Sequence, residues 1–165
     1  MKNNGFTVIE LITVMAIFVI LAGISAISIR DWLERYQVEV QTREMYVDLL
    51  NARLCALQRN RAVFVILASN QYEIYEDTHS LPDGDGTLQP ASDRLVVRKP
   101  TRFPLKPHLG FGHTTFQFQT NGLVTLDGSI HFNSSVDSLA DCIVLSSTRI
   151  RMGKWNGTTS KCSMR

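Results

Sequence analysis

The chain has 165 residues, 44% of them hydrophobic, and a formal charge of +2. So small a net charge does not by itself mark a nucleic-acid binder. The three cysteines lack the close paired spacing of a zinc site, so no metal is expected. No cofactor is expected either. Once a long N-terminal helix is set aside, about 100 residues remain, enough for one small domain.

The first element is an apolar run. Leu11–Ile29 holds no charge and is roughly 19 residues long, close to the length a helix needs to cross a bilayer. Lys2 precedes it and Glu10 stands at its mouth. A carboxylate in a membrane segment is costly and is normally paired or functional. Small residues after the apolar stretch would suit ordinary secretory cleavage. Here the small residue, Gly5, comes before it, so cutting between Gly5 and Phe6 removes a short polar leader, keeps the helix and makes Glu10 its fifth residue.

The helix is expected to continue, since Asp31–Asn60 contains neither proline nor glycine. Leu33, Tyr36, Val40, Val47, Leu50, Leu54 and Leu57 recur at spacings of three, four or seven. They predict the face that packs on the globular part, lapsing at Arg43 and Glu44. From Ala62 the pattern changes to strands, predicted at 62–68, 71–75, 94–98, 114–118, 123–126, 129–132, 142–146 and 148–152. Asn121-Gly122 and Asp127-Gly128 read as hairpin turns. Leu81–Ser92 reads as a loop, and Thr101–Gly112, bounded and broken by Pro100, Pro104 and Pro107, as an irregular crossing. One long helix followed by antiparallel strands predicts an α+β fold.

Met1–Ile29, with Gly5, Phe6, Glu10 and the apolar run, resembles the N-terminal signal of type IV pilins and type II secretion pseudopilins. The resemblance implies that a prepilin peptidase cuts after Gly5 and methylates Phe6. It also implies that Glu10 pairs with the N-terminal amine of a neighbouring subunit during filament assembly. The competing reading is a plain membrane anchor with its carboxylate among the headgroups. The C-terminal half narrows the likeness. The aromatic strand around Phe116 and Phe118, Asn121-Gly122, Gly128 and the stretch Cys142–Arg151 resemble the GspH/FimT group of minor pilins and pseudopilins. The FimT branch carries Gly-Arg-x-Arg between cysteines. Here Thr148 replaces the glycine, while Arg149 and Arg151 match.

These likenesses imply four segments: a leader (1–5), a membrane-spanning helix half (6–29), an amphipathic half (30–61) and a β-rich domain (62–165). They imply a non-enzymatic subunit of the bacterial inner membrane with its globular domain in the periplasm. Its partners would be other pilins or pseudopilins, the prepilin peptidase and the inner-membrane assembly platform. Major pilins often carry a proline in the long helix, whereas this chain has none before Pro82.

DNA is a further candidate partner, implied for FimT-like members by the arginine pair. Cys142 to Arg165 holds Arg149, Arg151, Lys154, Lys161 and Arg165 with no acidic residue. On a strand Arg149 and Arg151 point the same way. Clustered cations suffice for phosphate contact, and Trp155 is placed to stack on a base. A second basic stretch comprises Arg94, Arg98, Lys99, Arg102 and Lys106. The alternative is a solvated strand that contacts a neighbouring subunit.

Cys142 and Cys162 are the favoured disulfide, closing a loop over a turn at Gly153–Gly157. Cys55 reads as a small buried apolar residue, although its pairing with either of the other two stays open. Asp83-Gly84-Asp85-Gly86 is superficially a calcium loop but lacks the downstream glutamate of an EF-hand. His79, His108, His113 and His131 are scattered and, like Ser146-Ser147, show no catalytic context.

Overall fold

The computed structural model describes residues 7–80 and 84–164, without the side chains of residues 24–28, 111 and 164. Helix α1 runs Val8–Arg59, 52 residues and about 78 Å at 1.5 Å per residue. Thr7 caps its start, its hydroxyl accepting from the Glu10 amide. Asn60 ends it in the left-handed conformation (φ 53°), a favoured helix terminator. Among the described residues no helix is long and apolar enough to cross a membrane.

Among the described residues nine strands follow, all paired antiparallel: β1 (Val63–Ala68), β2 (Gln71–Glu76), β3 (Arg94–Pro100), β4 (Leu105–Leu109), β5 (Thr115–Phe118), β6 (Gly128–Phe132), β7 (Cys142–Ser146), β8 (Arg149–Asn156) and β9 (Lys161–Met164). They form two sheets, ordered β3-β2-β1-β5 and β4-β6-β7-β8-β9. The Leu105 amide donates to the Ser69 carbonyl at 2.7 Å and ties the second sheet to the first. The fold is α+β, with α1 packed against β1 and β5 of one sheet and β7 and β8 of the other.

The core lies between α1 and the sheets. Val38, Met45, Leu49, Ala52 and Ala56 of the helix meet Val65, Ile74, Phe118, Ile130, Ile143 and Leu145. Thr42 shares that face and is buried, because its hydroxyl donates to the Val38 carbonyl at 2.8 Å. Here the expected stripe is corrected. Leu33, Tyr36, Val40, Val47, Leu54 and Leu57 stay between 42% and 56% exposed, and only Leu50 packs partly on the core. Thr42, Ala52 and Ala56 share the sealed face with Val38, Met45 and Leu49. Leu33, Tyr36, Val40, Val47, Leu54 and Leu57 face away from the sheets.

Several boundaries differ from the sequence reading. Within the segment read as an irregular crossing, Leu105–Leu109 forms β4 despite Pro107. β4 is the edge of its sheet, where a missing N–H costs no ladder bond on the solvent side. Residues 123–126 are not a strand: Val124 makes a single bridge to Phe118. Asp127-Gly128 is no hairpin turn, since Gly128 already pairs with Leu109 and Leu145 as the first residue of β6. Gly153 lies inside β8 rather than in a turn, and β9 beyond it was not foreseen.

Buried acids pin the first sheet. Glu76 is fully buried and meets Arg59, Arg61 and Arg94. Lys99 bridges Glu44 and Asp48 of α1 at 2.7 Å each, and the Tyr72 hydroxyl donates to Asp48 at 2.6 Å. Burial, together with that bond to Asp48, pushes the Tyr72 phenol far above its usual range.

Candidate functional site

Gly5 and Phe6 lie outside the described residues, so the site begins at Thr7. Thr7-Val8-Ile9-Glu10 has the spacing of a capping box. Glu10 therefore sits in the first turn of α1, where the positive end of the helix dipole favours a carboxylate. It is exposed and shares a groove with Leu11, Val14 and Met15. Around it the helix has no polar face. From Val8 to Leu21 the large apolar side chains are between 44% and 77% exposed. Nothing in the β domain covers them, because the buried helix residues begin at Val38. The exposed stripe Leu33 to Leu57 continues this surface along the outer half of the helix.

The second candidate surface is the outer face of the five-stranded sheet. Arg149 and Arg151 alternate with Ile150, which packs inward, so both guanidinium groups project from one exposed face. The register of β8 against β7 and β9 is continuous, which puts Lys154 on the opposite face from the arginines. There its ammonium pairs with Asp137 at 2.5 Å. The structure thus brings Arg149 and Arg151 together and separates Lys154 from them.

Trp155 is on the arginine side of β8, but its ring is already engaged. It stacks on His131 with centroids 4.0 Å apart and on His108 at 4.7 Å, and the two imidazoles lie 5.0 Å apart. His131 is 5% exposed. Burial, then His108 and Lys106, lower its pKa to about 4, so it is neutral at pH 7. The second basic stretch is dispersed by ion pairing. Arg94 meets Glu76, Arg98 meets Glu73 at 2.7 Å, and Lys99 is held by α1. Lys106 donates to Asn133 at 3.3 Å. Arg102 instead lines a groove beside Gln37 and Glu44. The stretch is not one cationic face.

Cys142 and Cys162 are joined, with Cα atoms 6.2 Å apart. They sit on β7 and β9, so the bridge crosses β8 at Gly153. A Cβ at Gly153 would lie 2.5 Å from the Ser163 carbonyl oxygen and 2.8 Å from Cys162 Sγ. Glycine is required by that close approach, not by a turn. Cys55 is free and half-buried, with its thiol pKa raised by burial and then by Glu76.

In the suspected calcium loop, Asp83 lies outside the described residues. The Asp85 carboxylate accepts from Thr87 and Gln89. Buried Asp77 accepts from the amides of Asp85 and Gly86. Gly84, at φ +85°, leaves room for the Asp77 carboxyl, which a Cβ would meet at 2.3 Å. Among the described residues no cluster of metal-ligating side chains is present.

What the sequence reading missed is the outward helix stripe and a niche near Trp32. The signal for the niche was available: tryptophan and tyrosine just beyond an apolar run are the usual membrane-interface anchors.

Two family models match the chain. One, described as a prokaryotic N-terminal methylation motif, covers residues 1–26. The other, described as type II transport protein GspH, covers residues 41–149. No curated protein and no solved structure matches the chain.

Proposed function

The chain belongs to the type II transport protein GspH family, among the type IV pilin-like proteins, and from that premise we propose that it helps to start a filament or sits at or near its tip. The filament serves type II secretion or type IV pilus biogenesis. The observation that carries this reading is the inner half of α1, apolar and exposed on every described side, with Glu10 at its head. Such a surface is stable only in lipid or against other helices.

In this reading a prepilin peptidase cuts after Gly5 and methylates Phe6. The helix then anchors the subunit in the bacterial inner membrane, with the β domain in the periplasm. On assembly, Glu10 meets the Phe6 amine of a neighbour. Two opposite charges in a low-dielectric bundle are far less costly together than apart. The stripe Leu33 to Leu57 extends the contact outside the membrane, and the β domain presents its surface to the next component. The work is mechanical; no bond chemistry is assigned to the mature subunit.

A deletion strain tests the assignment, scored for exoprotein secretion, surface pili and transformation. Exoproteins stranded in the periplasm with pili intact make this the secretion pseudopilin. Normal secretion with lost pili makes it the pilus subunit. No change in any of the three overturns the proposal. The second reading, a DNA-uptake receptor, is supported by Arg149 and Arg151 sharing one exposed face. It expects transformation to fail, and DNA binding by the protein at low salt to disappear in Arg149→Glu/Arg151→Glu. DNA binding unchanged by the double substitution would remove that support.

A further inference from the structure

A niche of about 400 Å³ opens between α1 and the 137–139 segment, at the end of the β domain nearest the apolar run. One wall is aromatic: Trp32 and Tyr36 stack with centroids 6.0 Å apart and planes 11° apart. Both are more than half exposed, as is Leu139 beside them. The niche also holds two cations, Arg35 and Lys154, and two carboxylates, Glu39 and Asp137. Asp137 pairs with Lys154, and Glu39 accepts from the Leu139 amide at 3.0 Å. Arg35 has no ion-pair partner among the described residues. Ser138 is 1% exposed and lines the niche, yet its hydroxyl lacks a hydrogen-bond partner among the described residues. A buried hydroxyl left unsatisfied costs about 1–3 kcal/mol, so something polar is expected to meet it.

The place of the niche along α1 says what that something is. Trp32 and Tyr36 follow Ile29 by three and seven residues, about 5 and 11 Å along the helix. The polar interface of a bilayer is about 5–8 Å deep on each side of its hydrocarbon core. Trp32 lies in that zone, which tryptophan favours, while Tyr36 lies just beyond its outer edge, and arginine can extend its guanidinium back to headgroup phosphates. The balance of charge narrows the ligand further. Two cations beside two carboxylates disfavour a purely anionic ligand and match one that carries both signs.

We propose that this niche binds the headgroup of a zwitterionic phospholipid. Arg35, Lys154 and the Ser138 hydroxyl take the phosphate, Glu39 and Asp137 the ammonium, and Trp32, the wall residue nearest the hydrocarbon, lies toward the glycerol region. The subunit is thereby held upright on the membrane before it enters a filament. This rests on the reading of the N-terminal helix as a membrane anchor.

The test uses the full chain reconstituted into vesicles of phosphatidylethanolamine and phosphatidylglycerol, and into vesicles with phosphatidylcholine replacing the ethanolamine lipid. In a Trp155→Phe background Trp32 is the sole tryptophan reporter. Its emission is expected to be quenched at least twofold more by headgroup-labelled than by mid-chain-labelled lipid. Native mass spectrometry of the unsubstituted protein is expected to retain one phosphatidylethanolamine. Retention should fall at least fivefold in Arg35→Ala and in Lys154→Ala, and remain in Arg149→Ala. Phosphatidylcholine, also zwitterionic, should be retained in its place. Retention that ignores both niche substitutions, or that prefers phosphatidylglycerol to either, overturns the site. Trp32 unquenched by either label, in protein that resists alkaline extraction from the vesicles, overturns the placement of the niche at the interface. Shielding of Trp32 that rises with protein-to-lipid ratio overturns the lipid as occupant in favour of a second copy of the chain. Extraction of the protein by alkali overturns the anchor reading itself, and the proposal with it.

Discussion

Between Val38 and Ala56, α1 is sealed on one face by two sheets; between Val8 and Leu21 it is covered on none. The covered face mixes Val38, Met45 and Leu49 with the small Thr42, Ala52 and Ala56, while the uncovered surfaces also carry leucine, isoleucine, phenylalanine and tyrosine. In one helix, then, hydrophobicity does not report burial within the subunit. The sheets cover the face with Val38, Thr42, Met45, Leu49, Ala52 and Ala56, and apolar residues of similar size stay exposed elsewhere on the helix. On the proposed reading the two regions answer to different pressures, one to folding and the other to assembly.

Substitutions separate those pressures. Glu10→Ala is expected to reduce recovery of the subunit in sheared filaments, or its cross-linking to neighbours, more than tenfold. Its denaturation midpoint should not move, since Glu10 touches no core residue. A lower midpoint would show that the two regions are coupled. Leu49→Ala does the reverse, removing a fully buried side chain at a cost of about 3 kcal/mol, read from denaturant unfolding. Replacing Cys142 and Cys162 by serine is expected to cost about 3 kcal/mol for a loop with a sequence separation of 20. Added reductant should lower the stability of the parent chain similarly and leave the variant alone.

Acid sharpens the comparison inside the β domain. In the fold His131 stays neutral down to about pH 4, whereas unfolded it ionises near 6.5. Between those values the unfolded chain binds more protons, so stability rises with pH across the window. Acidification from 6.5 to 4 is expected to remove about 2–3 kcal/mol, with no further loss from this group below 4. The difference between the parent chain and His131→Phe isolates that contribution from the carboxylates titrating nearby. A difference that does not vary with pH would show the imidazole is not held neutral by the stack. The smallest effect is expected at Leu54→Ala, within 0.5 kcal/mol in the isolated subunit because the side chain is half exposed. A loss as large as that of Leu49→Ala would place the outward stripe in the fold after all.

Much of the architecture was legible because it is local. The absence of proline and glycine over 31–60 and the β-branched run from Ala62 report directly on backbone preference. The alternation of Arg149, Ile150 and Arg151 was legible too, since strand period two fixes which residues share a face. The failures are non-local. β4 contains a proline that only an edge position tolerates. Val124 sits in a segment patterned as a strand but finds a partner for a single bridge. Glu76 looks like a solvated strand-end acid, and only the meeting of Arg59, Arg61 and Arg94 makes its burial affordable. Lys154 was grouped with the arginines by proximity in sequence, although its odd offset from them puts it on the other face.

By itself, then, the sequence determined a long N-terminal helix with an apolar inner half, a carboxylate at its head and an antiparallel β domain. Those features rest on covalent geometry, side-chain period and capping, which act within a few residues. Tertiary structure alone decided which face of α1 is sealed. It also decided how the two sheets divide the strands, why glycine must stand beneath the disulfide and how a niche forms beside Trp32. Each depends on residues tens of positions apart meeting at contact distance, and a linear pattern carries no term for that.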